Sequence, residues 1–214
     1  MRAVEKLLAT KRLLTHLSRD FTPVAFFQSL SIEDVVLADV IYADLVHREY
    51  TNIKMFTIDT GKLPDESHQL IGEIRERYGD VLRVVYPDAK ALEQFDALFG
   101  FHDDYHHRSS KIRLLEPLQR ALFDCNAWIT SSDAVNPTIK SRSWIAWDSK
   151  HQIPRFNPLS RWTGDEILSY AKHHNLPAHS HHLQTGRHPQ SPESGYWWWQ
   201  TETPAARETK QNIA

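Results

Sequence analysis

Two serines stand side by side among basic and titratable side chains in the stretch His106-His107-Arg108-Ser109-Ser110-Lys111-Ile112-Arg113. A pair like this at the start of a helix suits a nucleophile, an anion cup or a simple cap. A second serine-rich stretch, Gln28-Ser29-Leu30-Ser31-Ile32-Glu33-Asp34, leads from an apolar run onto a helix start. Unpaired backbone N–H groups and the helix dipole favour an anion there, so the turn reads as a phosphate or sulfate pocket. It reads equally as Ser29 and Ser31 capping the helix, and Glu33 and Asp34 would compete with a bound anion. The third stretch, Asp59-Thr60-Gly61-Lys62, ends a buried strand in a tight turn beside a point charge. A nucleotide site would use Asp59 and Thr60 as polar orienters and Lys62 near phosphate, the alternative being a plain turn with an exposed lysine.

These stretches need elements to hold them. Leu7, Leu8, Leu13, Leu14 and Leu17 recur at near-helical spacing, so residues 1–19 predict an amphipathic helix. A short apolar run at 22–30 predicts a strand, followed by a helix capped by Ser31 with Val35, Leu37, Val40, Ile41 and Leu45 on one face. The pattern repeats as strand 53–59, helix 64–79, strand 81–87 and helix 89–100. Then come a helix at 109–123, strands at 125–132 and 141–148, and a helix at 163–175 with Thr163 and Glu166 in capping-box spacing. Strands alternating with helices imply right-handed crossovers and a parallel sheet covered on both faces, an α/β fold that binds ligands beyond the carboxyl ends of its strands. Residues 1–20 form a helix packed on the domain, 21–176 the α/β domain itself, and 177–214, poor in aliphatic residues, a loop and tail.

Composition narrows the function. Lys plus Arg number 25 against 27 Asp plus Glu, a net charge of −2 that gives no case for nucleic acid or an acidic membrane surface. No stretch approaches a membrane helix and the charged, amphipathic N-terminus is unlike a secretory signal, so a cytoplasmic address is expected. Cys125 is the one cysteine, so neither a disulfide nor a thiolate-ligated cluster can be assembled within the chain.

The order of "SLSIEDVVLADVI", "FTIDTGKLPDES", "HHRSSKIRLLEPLQRAL", "AWIT", "FNPLSRWTGDEILSYAKHHNLP" and "WWW" closely resembles the assimilatory sulfonucleotide reductases, from about residue 22 to 199. These enzymes reduce adenosine 5'-phosphosulfate, or its 3'-phosphorylated form, to sulfite. The resemblance implies an adenine nucleotide alpha-hydrolase-like (Rossmann-like) fold with five or six mainly parallel strands. It also implies thioredoxin or glutaredoxin as reductant and a homo-oligomer. Ser29, Glu33 and Asp34 match the family's "SLGAED" loop, with Ser31 replacing its glycine, where a side chain would crowd a phosphate. Asp59, Thr60 and Gly61 match a "DTG" stretch that in the family helps hold the adenosine.

The rest of the family's chemistry is missing. Where the adenosine-phosphosulfate branch carries two adjacent cluster cysteines this chain has Ser109 and Ser110, and no cysteine lies between Gly186 and Trp197. Serine cannot replace a thiolate at iron–sulfur, so no cluster is expected, and the pair is then best read as capping the helix to Phe123. The family's Arg-Lys pair survives only as Arg113, with Leu114 beside it. The C-terminal "ECGLH" motif, whose cysteine attacks sulfur in both branches, aligns with Glu208 and Thr209. The arginines that grip the phosphosulfate are replaced by Asp133, Glu193 and Tyr196.

The expected function is therefore a reductase-dead relative with no catalytic residue, whose nucleotide-binding set is Ser29, Ser31, Glu33, Asp34, Asp59, Thr60, Gly61, Lys62 and Arg113. Its partners would be an adenine nucleotide and, as a homo-oligomer or hetero-oligomer, a sulfur-assimilation enzyme. The alternatives are an active subunit with its nucleophile from a partner chain or from Cys125, and nucleotide hydrolysis or transfer at the Ser29–Asp34 loop. His173, His174, His179, His181, His182 and His188 crowd one region near Asp165 and Glu193, but they match no metal motif, and no metal is expected. Cys125 reads as a small buried hydrophobe, and Tyr196 to Trp199 as packing against the domain.

Overall fold

A computed structural model of the chain describes residues 3–43, 52–99, 109–131 and 143–179. Six strands form one sheet: β1 (Val24–Phe27), β2 (Ile53–Ile58), β3 (Leu82–Val85), β4 (Ala127–Ile129), β5 (Ile145–Asp148) and β6 (Ile153–Phe156), in the order β3-β2-β1-β4-β6-β5. Every pairing is parallel except β5 with β6. The helices are α1 (Ala3–Asp20), α2 (Ile32–Tyr42), α3 (Asp65–Tyr78), α4 (Ala89–Phe99), α5 (Glu116–Leu122) and α6 (Gly164–His173), with a π-helical turn over Lys111–Leu115 leading into α5.

The pleat sorts the core into two layers. Val24, Phe26, Met55, Leu82, Ile129 and Phe156 meet Leu14 and Leu17 of α1, Val35 of α2, Ile74 of α3 and Ile167 of α6. The alternate residues Ala25, Phe27, Phe56, Ile58, Val85 and Trp128 meet Leu114, Leu118 and Leu122 on the other face. The predicted capping box of α6 is present, with both Thr163 and Glu166 bonds made.

β6 is the element the sequence did not announce. Pro154 lacks a donor and Arg155 carries a charge, both poor signals for an interior strand. Pro154 lies opposite Trp147 of β5, while pairing with β4 begins at Arg155, so the missing N–H falls outside the parallel ladder.

Helix α2 is buried nearly all round, from Ile32 to Ile41, rather than along one face. Its Asp39 is 2% exposed and joins three helices. It accepts from the hydroxyls of Tyr78 in α3 at 2.8 Å and Tyr170 in α6 at 3.0 Å, with Arg77 at 3.4 Å and the His174 ring at 3.5 Å. Burial first, and then the Asp39 charge, push both phenols well above their ordinary value.

Tyrosine in the unfolded chain ionises near pH 10. The stability contributed by the two neutral phenols is therefore complete below that pH and is lost as pH rises beyond it. Urea unfolding followed from about pH 8 to 11 is expected to show stability falling above about pH 10, with a shallower fall in Tyr78→Phe. Equal slopes in the two proteins would contradict this assignment.

Candidate functional site

The sheet order places a topological switch point between β1 and β4: from β1 the chain steps outward through β2 to β3 on one side, and from β4 it crosses to the edge strand β5 and returns to β6 on the other. In open α/β sheets this is where a crevice forms at the strands' carboxyl ends. The two loops flanking it are fastened together by one side chain. Asp34, 0% exposed in the first turn of α2, accepts on one carboxylate oxygen from the backbone N–H of Ser29 at 2.9 Å and from the Ser29 hydroxyl. The other oxygen accepts from the N–H of Ser131, just beyond β4, at 3.1 Å and from the Ser131 hydroxyl. Ser31 caps α2 by accepting the Asp34 N–H at 3.2 Å.

At Ser31 the backbone is extended (φ −78°, ψ 158°), so replacing the family's glycine causes no strain there. The left-handed residue of the loop is Leu30, at φ 66°. Its N–H donates to the side-chain oxygen of Gln28 at 3.0 Å, and the Gln28 amide nitrogen is buried without a hydrogen-bond partner. Glu33, half-buried, stands beside Asp34 in the first turn of α2.

The β2–α3 loop is built from Asp59, Thr60, Gly61 and Lys62. Asp59 accepts the Gly61 N–H at 2.8 Å on one oxygen and lies 3.0 Å from the His68 ring on the other. Gly61 has φ +74°, and a Cβ there would stand 3.4 Å from Arg113 Nη1. Arg113, buried in the π-helical turn, donates to the Thr60 carbonyl at 2.9 Å and pairs with Asp96 of α4 at 3.3 Å. Lys62 is exposed; partial desolvation, and then repulsion from Arg113, hold its ammonium below the ordinary lysine range while Asp96 pulls the other way.

All nine residues of the expected nucleotide set thus lie on two neighbouring loops, the first turn of α2 and the π-helical turn that latches the second loop. Sequence reasoning missed Gln28, Ser131, His68 and Asp96. Gln28 was in view at the head of the serine loop, but Ser131 and Asp96 act on residues 97 and 17 positions away and leave no local trace.

The capping role read for the serine pair does not hold at Ser110. Ser109 and Ser110 are buried and already helical, and Ser110 (φ −57°, ψ −33°) makes no capping bond to the turn that follows. The insertion of a π turn places Arg113 and Leu114 inward. Cys125 is half-buried at the amino-terminal approach to β4, its thiol 3.7 Å from the Ala121 carbonyl, and burial pushes that thiol up. The clustered histidines divide: His174 stacks on Tyr170 at 4.0 Å and His179 lies 3.2 Å from Glu66. Among the described residues no group of three His, Cys, Asp or Glu side chains is arranged to hold a metal. Asp133, His181, His182, His188, Glu193, the Tyr196–Trp199 run, Glu208 and Thr209 lie outside the described residues.

Replacing Asp34 by Ala strands four donors at once, and a loss of about 2–4 kcal/mol of stability is expected, read by denaturant unfolding. Gly61→Ala is expected to cost about 1 kcal/mol, because the left-handed turn disfavours a Cβ. Wild-type midpoints for both variants would refute the roles given to these residues.

Comparison with known proteins completes the picture. Residues 24–186 match the model of the phosphoadenosine phosphosulfate reductase domain. An adenosine 5'-phosphosulfate reductase from Allochromatium vinosum is 30% identical, over 94% of this chain and 82% of its own length. One from Pseudomonas aeruginosa is 33% identical, over 80% of this chain and 70% of its own. Among solved structures, a phosphoadenylyl-sulfate reductase from Candida auris superposes with a TM-score of 0.67 at 19% identity, covering 84% of this chain and 86% of the other. An NH3-dependent NAD synthetase from Campylobacter jejuni gives 0.57 at 12% identity, covering 99% and 93%. Among the described residues no helix is long and apolar enough to cross a membrane. The mostly parallel sheet, its switch point between β1 and β4 and the match along most of the chain agree: the fold is adenine nucleotide alpha-hydrolase-like, and the chain belongs to the phosphoadenosine phosphosulfate reductase family.

Proposed function

We propose that this chain is a member of the family without reductase chemistry, a pseudoenzyme of sulfate assimilation that acts by binding an adenine nucleotide and a partner protein. The observation that carries this reading is the position of the one cysteine. Cys125 precedes β4, at the amino-terminal edge of the sheet, whereas the Ser29–Asp34 and Asp59–Lys62 loops leave its carboxyl-terminal edge. Attack on a sulfonucleotide needs an accessible thiolate. A half-buried thiol raised by burial, directed at the Ala121 carbonyl and set at the opposite edge from those loops, is poorly placed for that attack.

The donors at the serine pair support the same reading. An iron–sulfur cluster requires thiolates, and Ser109 and Ser110 offer only hydroxyls, each buried in the helix. That donor set does not fit the cluster of the adenosine-phosphosulfate branch, and no step is assigned to one.

In this reading the Ser29 loop and the Asp59–Gly61 turn receive the adenosine end of a nucleotide, and the Gln28 amide offers a buried donor beside them. Lys62 lies where a phosphate would be screened. Arg113 is held on Thr60 and Asp96, so it shapes the loop rather than gripping an oxyanion. Self-association, or association with an active reductase or another enzyme of the same route, supplies the partner.

Two measurements test this. Purified protein given thioredoxin and adenosine 5'-phosphosulfate, or its 3'-phosphorylated form, is expected to release no sulfite above the enzyme-free rate. Release abolished by Cys125→Ser would establish a working thiol and end the pseudoenzyme reading, and release that needs a second protein would assign the nucleophile to the partner chain. Calorimetry is expected to give affinities for AMP and adenosine 5'-phosphosulfate within about tenfold of each other, a difference of about 1.4 kcal/mol. Much tighter sulfonucleotide binding would mean that the phosphosulfate clamp persists.

A further inference from the structure

Away from the nucleotide loops, on the sheet face covered by α5, Arg155 of β6 and Trp128 of β4 are register partners on adjacent parallel strands. Their side chains therefore rise from the same face side by side. Arg155 is 8% exposed and Trp128 1% exposed, and both Arg155 Nη1 and Trp128 Nε1 are buried with no hydrogen-bond partner. No carboxylate among the described residues forms an ion pair with Arg155.

His151, in the turn between β5 and β6, stands edge-to-face to Trp128 with ring centroids 6.1 Å apart. Its side chain is 6% exposed, its Nδ1 lies 2.7 Å from Asp148 Oδ2, and its Nε2 is buried without a partner. Asp148 sits on the same face of β5 but is spent locally: its other oxygen accepts the N–H groups of Lys150 at 3.0 Å and His151 at 3.2 Å.

A buried guanidinium without a counter-charge is among the costliest arrangements a core can hold. Here it adjoins a second orphaned N–H donor, and nothing in the sheet requires either to be polar. A positively charged donor and a neutral donor side by side select an oxygen anion, with Arg supplying charge and geometry together.

We propose that Arg155 and Trp128, flanked by the Asp148–His151 pair, form a pocket for a small oxyanion of the sulfate or phosphate type, separate from the nucleotide loops. The oxyanion is either free in solution or the terminal group of a nucleotide, and these two sources share one chemistry.

The test uses the full chain labelled with nitrogen-15, with the Trp128 indole resonance assigned by its loss in Trp128→Phe. Sodium sulfate is titrated against sodium chloride at matched ionic strength, and AMP is titrated separately. The Trp128 indole signal is expected to move saturably with sulfate and not with chloride. In Arg155→Met the sulfate affinity is expected to fall by at least about tenfold, and the anion-free variant to melt no lower than wild type. Movement with AMP alone, lost in Arg155→Met, assigns the oxyanion to a nucleotide phosphate and also supports the pocket. An indole signal unmoved by both anions overturns the proposal on wild-type protein alone, whatever the variant does. So does an unchanged titration in Arg155→Met, or an anion-free Arg155→Met that melts well below wild type.

Discussion

The carboxylate of Asp34 holds the functional edge of this molecule together. Its two oxygens divide between the loops after β1 and β4, which no backbone ladder joins once the strands end. The group is fully buried, so the four donors it gathers are what make its charge tolerable, and removing any of them exposes the others to the same penalty. Asp39, one and a half turns further along α2, does for the helices what Asp34 does for the loops, receiving hydroxyls from α3 and α6. One buried helix thus carries two polar pins, one tying the loops after β1 and β4 together and the other tying α3 and α6 to α2.

The division between what was legible in the sequence and what was not follows from that arrangement. Alternating strands and helices, the "DTG" turn, the Thr163–Glu166 capping box and the family are all written in local patterns of a few residues, and each was readable. β6 escaped because a proline and an arginine disguise it, and both are accommodated only by which neighbour each residue faces. The serine pair was misread as a cap because the helix already includes Ser109 and Ser110 and continues into a π turn, which leaves no signature in composition. Of the nucleotide set, the residue types and numbers were evident, but Asp34 and Arg113 do their work on partners elsewhere in the chain. Ser131 and Asp96 could be found only once the fold had brought them close.

The two sheet faces differ in how they treat charge. On the face carrying α2, α3 and α6, every buried ionised group described above is surrounded by donors. On the α5 face the buried Nη1 of Arg155 has no acceptor among the described residues, although Leu114, Leu118, Leu122 and Trp128 make that layer as apolar as the other. Arg113, forty residues before the start of β6 but in the same layer, shows the contrast directly, since it has both a carbonyl and a carboxylate in reach.

The distance between Cys125 and the crevice has a consequence for oxidative stress. Peroxide and disulfide chemistry act through accessible thiolates, and the loops that form this crevice present hydroxyls, amides, carboxylates and an ammonium instead. The loops after β1, β2 and β4 therefore hold no thiol whose charge such oxidation would change.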